Sequence, residues 1–125
     1  MKTDRIPLGL YIHVPFCKSK CVYCDFYSLP GADEGRMDAY TAAVAAHLTE
    51  TAPRADHHTV DTVYFGGGTP SLLGAKRLCR LLELIAKKYH LDSGAEITLE
   101  ANPDSAGDWR ALRTLRRAGF NRISL

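Results

Sequence analysis

The chain has 125 residues, 46% of them hydrophobic, enough for one modest core and so for one domain or part of one. Sixteen basic residues against 14 acidic ones leave a formal net charge of +2, which disfavours nucleic acid as the main partner because counterion-release binding needs clustered positive charge. No stretch approaches the roughly 18 apolar residues of a membrane span, and Pro7, Gly9 and His13 interrupt the early apolar runs that a targeting segment would need. The protein reads as cytoplasmic and not as an integral membrane protein. In that compartment its four cysteines are metal ligands, reactive thiols or small core residues rather than disulfides.

In chain order, Leu10-Tyr11-Ile12-His13-Val14 reads as a strand stopped by Pro15. A loop rich in Cys, Lys and Gly follows. From Met37 to about Thr51 an Ala-rich segment with Tyr40, Val44 and Leu48 at i, i+4, i+8 predicts a helix, ended by Pro53. Arg54 to Thr59 is a polar connector, and Val60 to Phe65 a second strand running into Gly66-Gly67-Gly68. Leu78, Leu81, Leu82, Ile85 and Tyr89 form the apolar face of the next helix, in which Cys79 reads as a small hydrophobe. Glu96 to Glu100 is a short third strand closed by Asn102-Pro103. Trp109, Leu112 and Leu115 are expected on one side of a third helix, with Gly119 capping its C-terminus. Arg110, Arg113, Arg116, Arg117 and Arg122 read as a solvated outer face, and Ile123-Ser124-Leu125 begins a fourth strand.

Strand–helix alternation of this kind implies βαβ units, a parallel sheet and the α/β class. Because stopping within a strand is not how a finished barrel or doubly wound sheet ends, residues 1–125 are expected to be an N-terminal piece of a longer protein.

Cys17, Cys21 and Cys24 have C-x3-C-x2-C spacing in a loop directly after a strand. Thiolate is the preferred ligand of iron–sulfur clusters. Three cysteines on a four-iron cubane leave one iron without a protein ligand, which is useful where a small molecule must bind it. Lys18 and Lys20 offset some of the cluster's negative charge. The alternative is zinc held by the same cysteines and His13, although structural zinc sites usually pair two half-sites and no second one follows.

The run Val63-Tyr64-Phe65-Gly66-Gly67-Gly68-Thr69-Pro70-Ser71 is neither a P-loop nor the dinucleotide fingerprint. Its glycines allow the backbone to approach a ligand and present N–H and C=O groups to it. One of the three is expected to serve a turn with positive φ, and Ser71 to cap the following helix. Glu100 alone is a weak signal, but in a parallel barrel the loops after successive strands open on one face. The cysteine loop, the glycine turn and Glu100 would therefore meet at one mouth.

These residues, Tyr11-Ile12-His13-Val14-Pro15-Phe16-Cys17 with Cys21, Tyr23 and Cys24, then Tyr64 to Ser71, Glu100-Ala101-Asn102-Pro103 and Asn121 to Leu125, resemble the radical S-adenosylmethionine (SAM) family of oxygen-independent coproporphyrinogen III oxidases and their relatives. The resemblance implies the N-terminal part of a partial TIM-type (β/α) barrel with a 4Fe–4S cluster on Cys17, Cys21 and Cys24. It also implies SAM chelating the open iron, with SAM contacts at Tyr11, Tyr23, Gly67, Gly68, Thr69 and Glu100. One-electron reduction of the cluster would then cleave SAM to methionine and a 5′-deoxyadenosyl radical, chemistry that the cofactors supply and the protein positions.

One departure divides the family. The oxidases carry C-x3-C-x2-C-x-C, whereas Cys24-Asp25 is followed here by Phe26. That ending is similar to the heme chaperone (HemW-type) branch, and implies heme as cargo, heme acceptor proteins and an electron donor protein as partners. His13, His47, His57, His58 and His90 are scattered, and none is assigned to heme. An unfinished parallel sheet leaves an open edge and an uncovered flank, so the chain expressed alone is expected to be poorly soluble or associated. Analytical ultracentrifugation and a thermal melt check this; a monomer with one sharp cooperative transition would contradict it.

Overall fold

The computed structural model describes residues 5–17, 29–30, 34–102 and 109–125. The elements are β1 (Ile6–Val14), β2 (Phe16–Cys17), β3 (Leu29–Pro30), α1 (Glu34–Thr51), β4 (His58–Gly67), α2 (Gly74–Lys88), β5 (Leu91–Glu100), α3 (Trp109–Ala118) and β6 (Arg122–Ser124). Short 3₁₀ turns at Ala52–Ala55 and Pro70–Leu73 precede β4 and α2. The main sheet has four strands in the order β1-β4-β5-β6, every neighbouring pair parallel. A separate parallel pair joins β2 to β3. The α/β class and the parallel sheet are as the alternation predicts.

All three long strands exceed their predicted bounds, for reasons that pairing explains. β1 starts at Ile6 because it lies at the sheet edge, where proline is tolerated, and Pro7 pairs with Thr59. A Cβ on Gly9 would lie 2.7 Å from Thr62 Oγ1, so the two strands approach closely there. β5 starts at Leu91, and its register against β4 jumps between Val60 and Thr62, from Leu91 to Glu96. That irregularity hides the first half of the strand from any test of alternation.

Alternation splits the sheet into two unlike faces. Ile12, Val14, Val63, Phe65, Ile97 and Leu99 are buried in the core with Leu78, Leu81, Leu82 and Ile85 of α2. The intervening residues carry Tyr11, His13, Thr62, Tyr64, Glu96, Thr98, Glu100, Arg122 and Ser124. Register places Tyr11 beside Tyr64, Tyr64 beside Thr98, and Glu100 beside Ser124. Parallel strands covered on both sides usually read as continuous apolar runs. These do not, so the second face is built for polar contacts.

Helix α1 buries Met37, Thr41 and Leu48, while Tyr40 and Val44 pack partly buried against the same core. Buried Thr41 donates its hydroxyl to Met37 O at 2.7 Å, so no polar group is left unsatisfied there. Tyr89, at the C-cap of α2, donates to Leu48 O at 2.8 Å and ties the end of α2 to α1. Cys79 is a buried free thiol, its pKa pushed up chiefly by burial, as expected of a small core residue.

Two expectations need correction. Trp109 is 60% exposed and does not share the inward side of α3 with Leu115, which is buried. It occupies the first helical turn, away from the stripe that reaches the core through Leu115 and Ala118. There the Arg113 guanidinium lies 4.5 Å and that of Arg110 6.0 Å from the indole centroid. Ser71 is not the cap of α2. It lies inside the 3₁₀ turn, and Leu73 at the N-cap makes no side-chain capping bond. Gly119 does close α3, with φ +125° and its N–H shared between Leu115 O and Arg116 O. The arginines of α3 are exposed, and Arg122 pairs with Glu96 at 3.0 Å. Among the described residues, no helix is long and apolar enough to cross a membrane.

Phe65 is fully buried, its ring 5.3 Å from that of Phe120. Phe65→Ala is expected to cost about 3–5 kcal/mol of stability, measured as a lower urea midpoint at unchanged slope.

Candidate functional site

The C-terminal ends of β1, β4 and β5 lie side by side, because Val14 pairs with Gly67 and Phe65 with Leu99. The glycine turn that follows β4 is bonded to the ends of both neighbouring strands. The Gly67 N–H donates to Glu100 Oε1 at 3.0 Å. The Gly68 N–H donates to Val14 O at 2.8 Å, and the Thr69 N–H to Phe16 O at 2.6 Å. The glycine turn is thus held on one side by the acidic end of β5 and on the other by the segment that leads into Cys17.

The glycines are required by this geometry. Gly67 has φ +114°, and a Cβ there would lie 2.7 Å from Val14 O and 2.8 Å from the His13 ring. A Cβ on Gly66 would meet the Tyr64 and Tyr11 rings at 2.8 and 2.9 Å and Glu100 Oε1 at 3.1 Å. Gly67 is the glycine of the three with positive φ, and Gly66 is excluded from bearing a side chain by the convergence of three others.

Around Gly66 the polar face forms a connected set. Tyr64 donates its hydroxyl to Glu100 Oε2 at 2.6 Å, and this bond is the main reason its pKa is pushed up. Its ring stacks on Tyr11, with centroids 6.0 Å apart and planes at 20°. Tyr11 is 59% exposed, and its hydroxyl lies 3.1 Å from His13 Nδ1. From α1, Tyr40 donates to the His13 carbonyl and meets Phe16 edge-on at 5.4 Å. Burial first, and then Tyr11, push the Tyr40 phenol up to about 12.

A cavity of about 270 Å³ opens at this end, lined by Gly68, Thr69, Glu100, Ala101, Asn102, Ser124 and Leu125. Its polarity indicates the kind of ligand it takes. Three consecutive backbone N–H groups, of Gly67, Gly68 and Thr69, are already accepted by the protein, so the turn is no phosphate cradle. The Glu100 carboxylate offers about four acceptor positions, of which Gly67 and Tyr64 use two. Beside the mixed donor and acceptor groups of Thr69, Asn102 and Ser124, Glu100 adds acceptor positions to the lining, suited to ammonium or hydroxyl groups.

Of the residues singled out from the sequence, Tyr11, Gly67, Gly68, Thr69 and Glu100 therefore come together at one end of the sheet. The backbone of Cys17 lies in β2 at the same end, two residues beyond Pro15. Cys21, Tyr23 and Cys24, like Phe26, Lys18 and Lys20, lie outside the described residues, as does the side chain of Cys17. Among the described residues no group of three or more His, Cys, Asp or Glu is placed to hold a metal ion. Two members of the site were given no role by the sequence, although Tyr64 belongs to the run that carries the family resemblance. Tyr64 reads as an ordinary strand aromatic, and only its place on the polar face marks it; Tyr40 reads as a packing residue of α1.

A sequence profile of the radical SAM superfamily matches residues 11–125. The chain belongs to the radical SAM superfamily. It is 45% identical over 122 residues to the heme chaperone HemW of Mycobacterium tuberculosis, covering 95% of this chain and 31% of that protein. It is 35% identical over 120 residues to the oxygen-independent coproporphyrinogen III oxidase of Salmonella typhimurium, covering 95% of this chain and 26% of that protein. The solved coproporphyrinogen III oxidase HemN of Escherichia coli, described as a radical SAM enzyme, superimposes with a TM-score of 0.87 at 30% identity, over 98% of this chain and 28% of that one. The chain spans a quarter to a third of the length of these relatives.

Membership in the radical SAM superfamily implies a 4Fe–4S cluster and SAM. The residues present fit that pair. The sequence supplies three soft thiolate donors, the first of them on the segment that holds the glycine turn, and the adjoining cavity offers acceptors to a cofactor that carries an ammonium and hydroxyls.

The raised pKa of Tyr40 has a measurable consequence. In the unfolded chain its phenol loses the proton near the ordinary 10.0, but in the folded protein only near about 12. Its contribution is therefore complete below pH 10 and is lost as the pH rises through about 12. Denaturant midpoints between pH 9 and 12 are expected to fall, and Tyr40→Phe to flatten part of that fall.

Proposed function

We propose that the protein is a cytoplasmic radical SAM protein of the heme chaperone type, in which Cys17, Cys21 and Cys24 hold the cluster and Tyr11, Tyr23, Gly67, Gly68, Thr69 and Glu100 contact SAM. The observation that carries the chaperone reading is Phe26, which stands where the oxidase pattern has its fourth cysteine. The higher identity to the chaperone relative, 45% against 35% for the oxidase, supports it. Heme is then the cargo, with heme acceptor proteins and an electron donor protein as partners. When bound, the cluster and SAM supply one-electron chemistry. The chain's own residues supply position: the glycine turn lets the backbone approach the cofactor, and Glu100 holds a negative charge where a cation or hydroxyls would sit. The exposed Tyr11 ring offers a flat apolar face beside them.

The second reading, oxidative decarboxylation of coproporphyrinogen III, is favoured by the close superposition on the oxidase HemN. Zinc held by the three cysteines and His13 draws no support from the superfamily match.

The test uses the full-length protein, reconstituted anaerobically with iron and sulfide. It is expected to bind hemin and pass it to an apo-cytochrome, and to form no protoporphyrinogen from coproporphyrinogen III under reducing conditions. Robust protoporphyrinogen formation would overturn the chaperone reading. Replacing Cys17, Cys21 and Cys24 together by serine should abolish iron retention and SAM uptake; unchanged iron content would overturn the ligand assignment.

A further inference from the structure

Tyr64 does not line the cavity at the end of the sheet, yet it makes the shortest bond to the residue that does. Its hydroxyl donates to Glu100 Oε2 at 2.6 Å while the Gly67 N–H donates to Oε1 at 3.0 Å. A glutamate at a strand end otherwise samples several rotamers, and fixing it costs side-chain entropy that a ligand would have to overcome on binding. Here the two oxygens are held by donors from two different positions on β4, which fixes both the direction of the carboxylate and its plane. The Tyr64 ring stacks on Tyr11 and occupies space that only a glycine at position 66 leaves free.

We infer that Tyr64 is a positioning residue for SAM binding: by bonding one carboxylate oxygen of Glu100 from behind, it aims the remaining acceptor positions into the cavity before the cofactor arrives. This rests on the proposal that Glu100 contacts SAM and adds to it the residue that holds Glu100 ready. Tyr64 is absent from the cavity lining, so its assigned role is exerted through Glu100. The phenol suits the task because it stays protonated, and so a donor, throughout the physiological range.

The test is a double-mutant cycle in the full-length, cluster-reconstituted protein, with SAM binding measured by equilibrium dialysis. Tyr64→Phe keeps the ring and its stacking and removes only the hydroxyl. It is expected to weaken SAM binding about threefold to tenfold, the range of one net hydrogen bond. Glu100→Ala should weaken it more, and the double variant should bind no worse than Glu100→Ala alone, because on this proposal the hydroxyl acts through the carboxylate and not through Ser124, its other side-chain partner. In the cofactor-free protein, Tyr64→Phe should speed amide hydrogen exchange at Gly67 while leaving that at Val63 and Leu99 unchanged, which separates a local loosening from a loss of fold. Wild-type SAM affinity in Tyr64→Phe, or losses that multiply in the double variant, would overturn the proposal while leaving Glu100 as a SAM contact. Wild-type affinity in Glu100→Ala would overturn the SAM-contact reading and this proposal with it.

Discussion

A carboxylate that bridges two parallel strands governs this end of the molecule. Parallel strands stop where their ladders stop, and the next backbone N–H must find an acceptor elsewhere. At Gly67 that acceptor is Glu100, one strand over. The bond allows a residue with φ +114° to end β4 without an orphaned donor. The following two N–H groups then turn the other way, onto the segment that carries Cys17. Three successive donors thus lace β5, β4 and the β1–β2 junction together, the first through the Glu100 side chain and the other two through backbone carbonyls, and so fix relative to one another the elements proposed to hold a cluster and its cofactor.

The same lacing determines chemical character. A glycine-rich turn whose N–H groups point outward attracts phosphate. Here all three are accepted within the protein, the first of them by a carboxylate. The difference between an anion site and a cation site is therefore made by the direction of three peptide planes, with the composition of the turn unchanged.

Much of this was legible beforehand. The strand–helix alternation reads directly from apolar spacing, and Leu78, Leu81, Leu82 and Ile85 mark their helix because their burial follows a 3.6-residue period. Gly119 and the cysteine spacing are equally plain. The start of β5 was hidden, since the register jump at Val60–Thr62 breaks the alternation on which a strand assignment relies. Trp109 misleads because an indole is heavily weighted as apolar, whereas here it stays exposed beside the guanidinium groups of the arginines one and four positions on. The role of Tyr64 was not readable because it depends on Glu100, a residue 36 positions away that is brought near only by strand pairing. Local pattern predicts elements; the partnership of side chains across the sheet has no local trace.

Trp109 is the chain's single tryptophan, and its location makes intrinsic fluorescence a poor gauge of global unfolding. The indole is already wet and lies under the Arg113 guanidinium, so dismantling the core would change its surroundings little. Its emission instead reports on the outer surface of α3, where anything that pulled an arginine off the ring would alter the signal while the sheet stayed whole. The chain thus carries a built-in optical label on the one helix whose exterior is densest in positive charge.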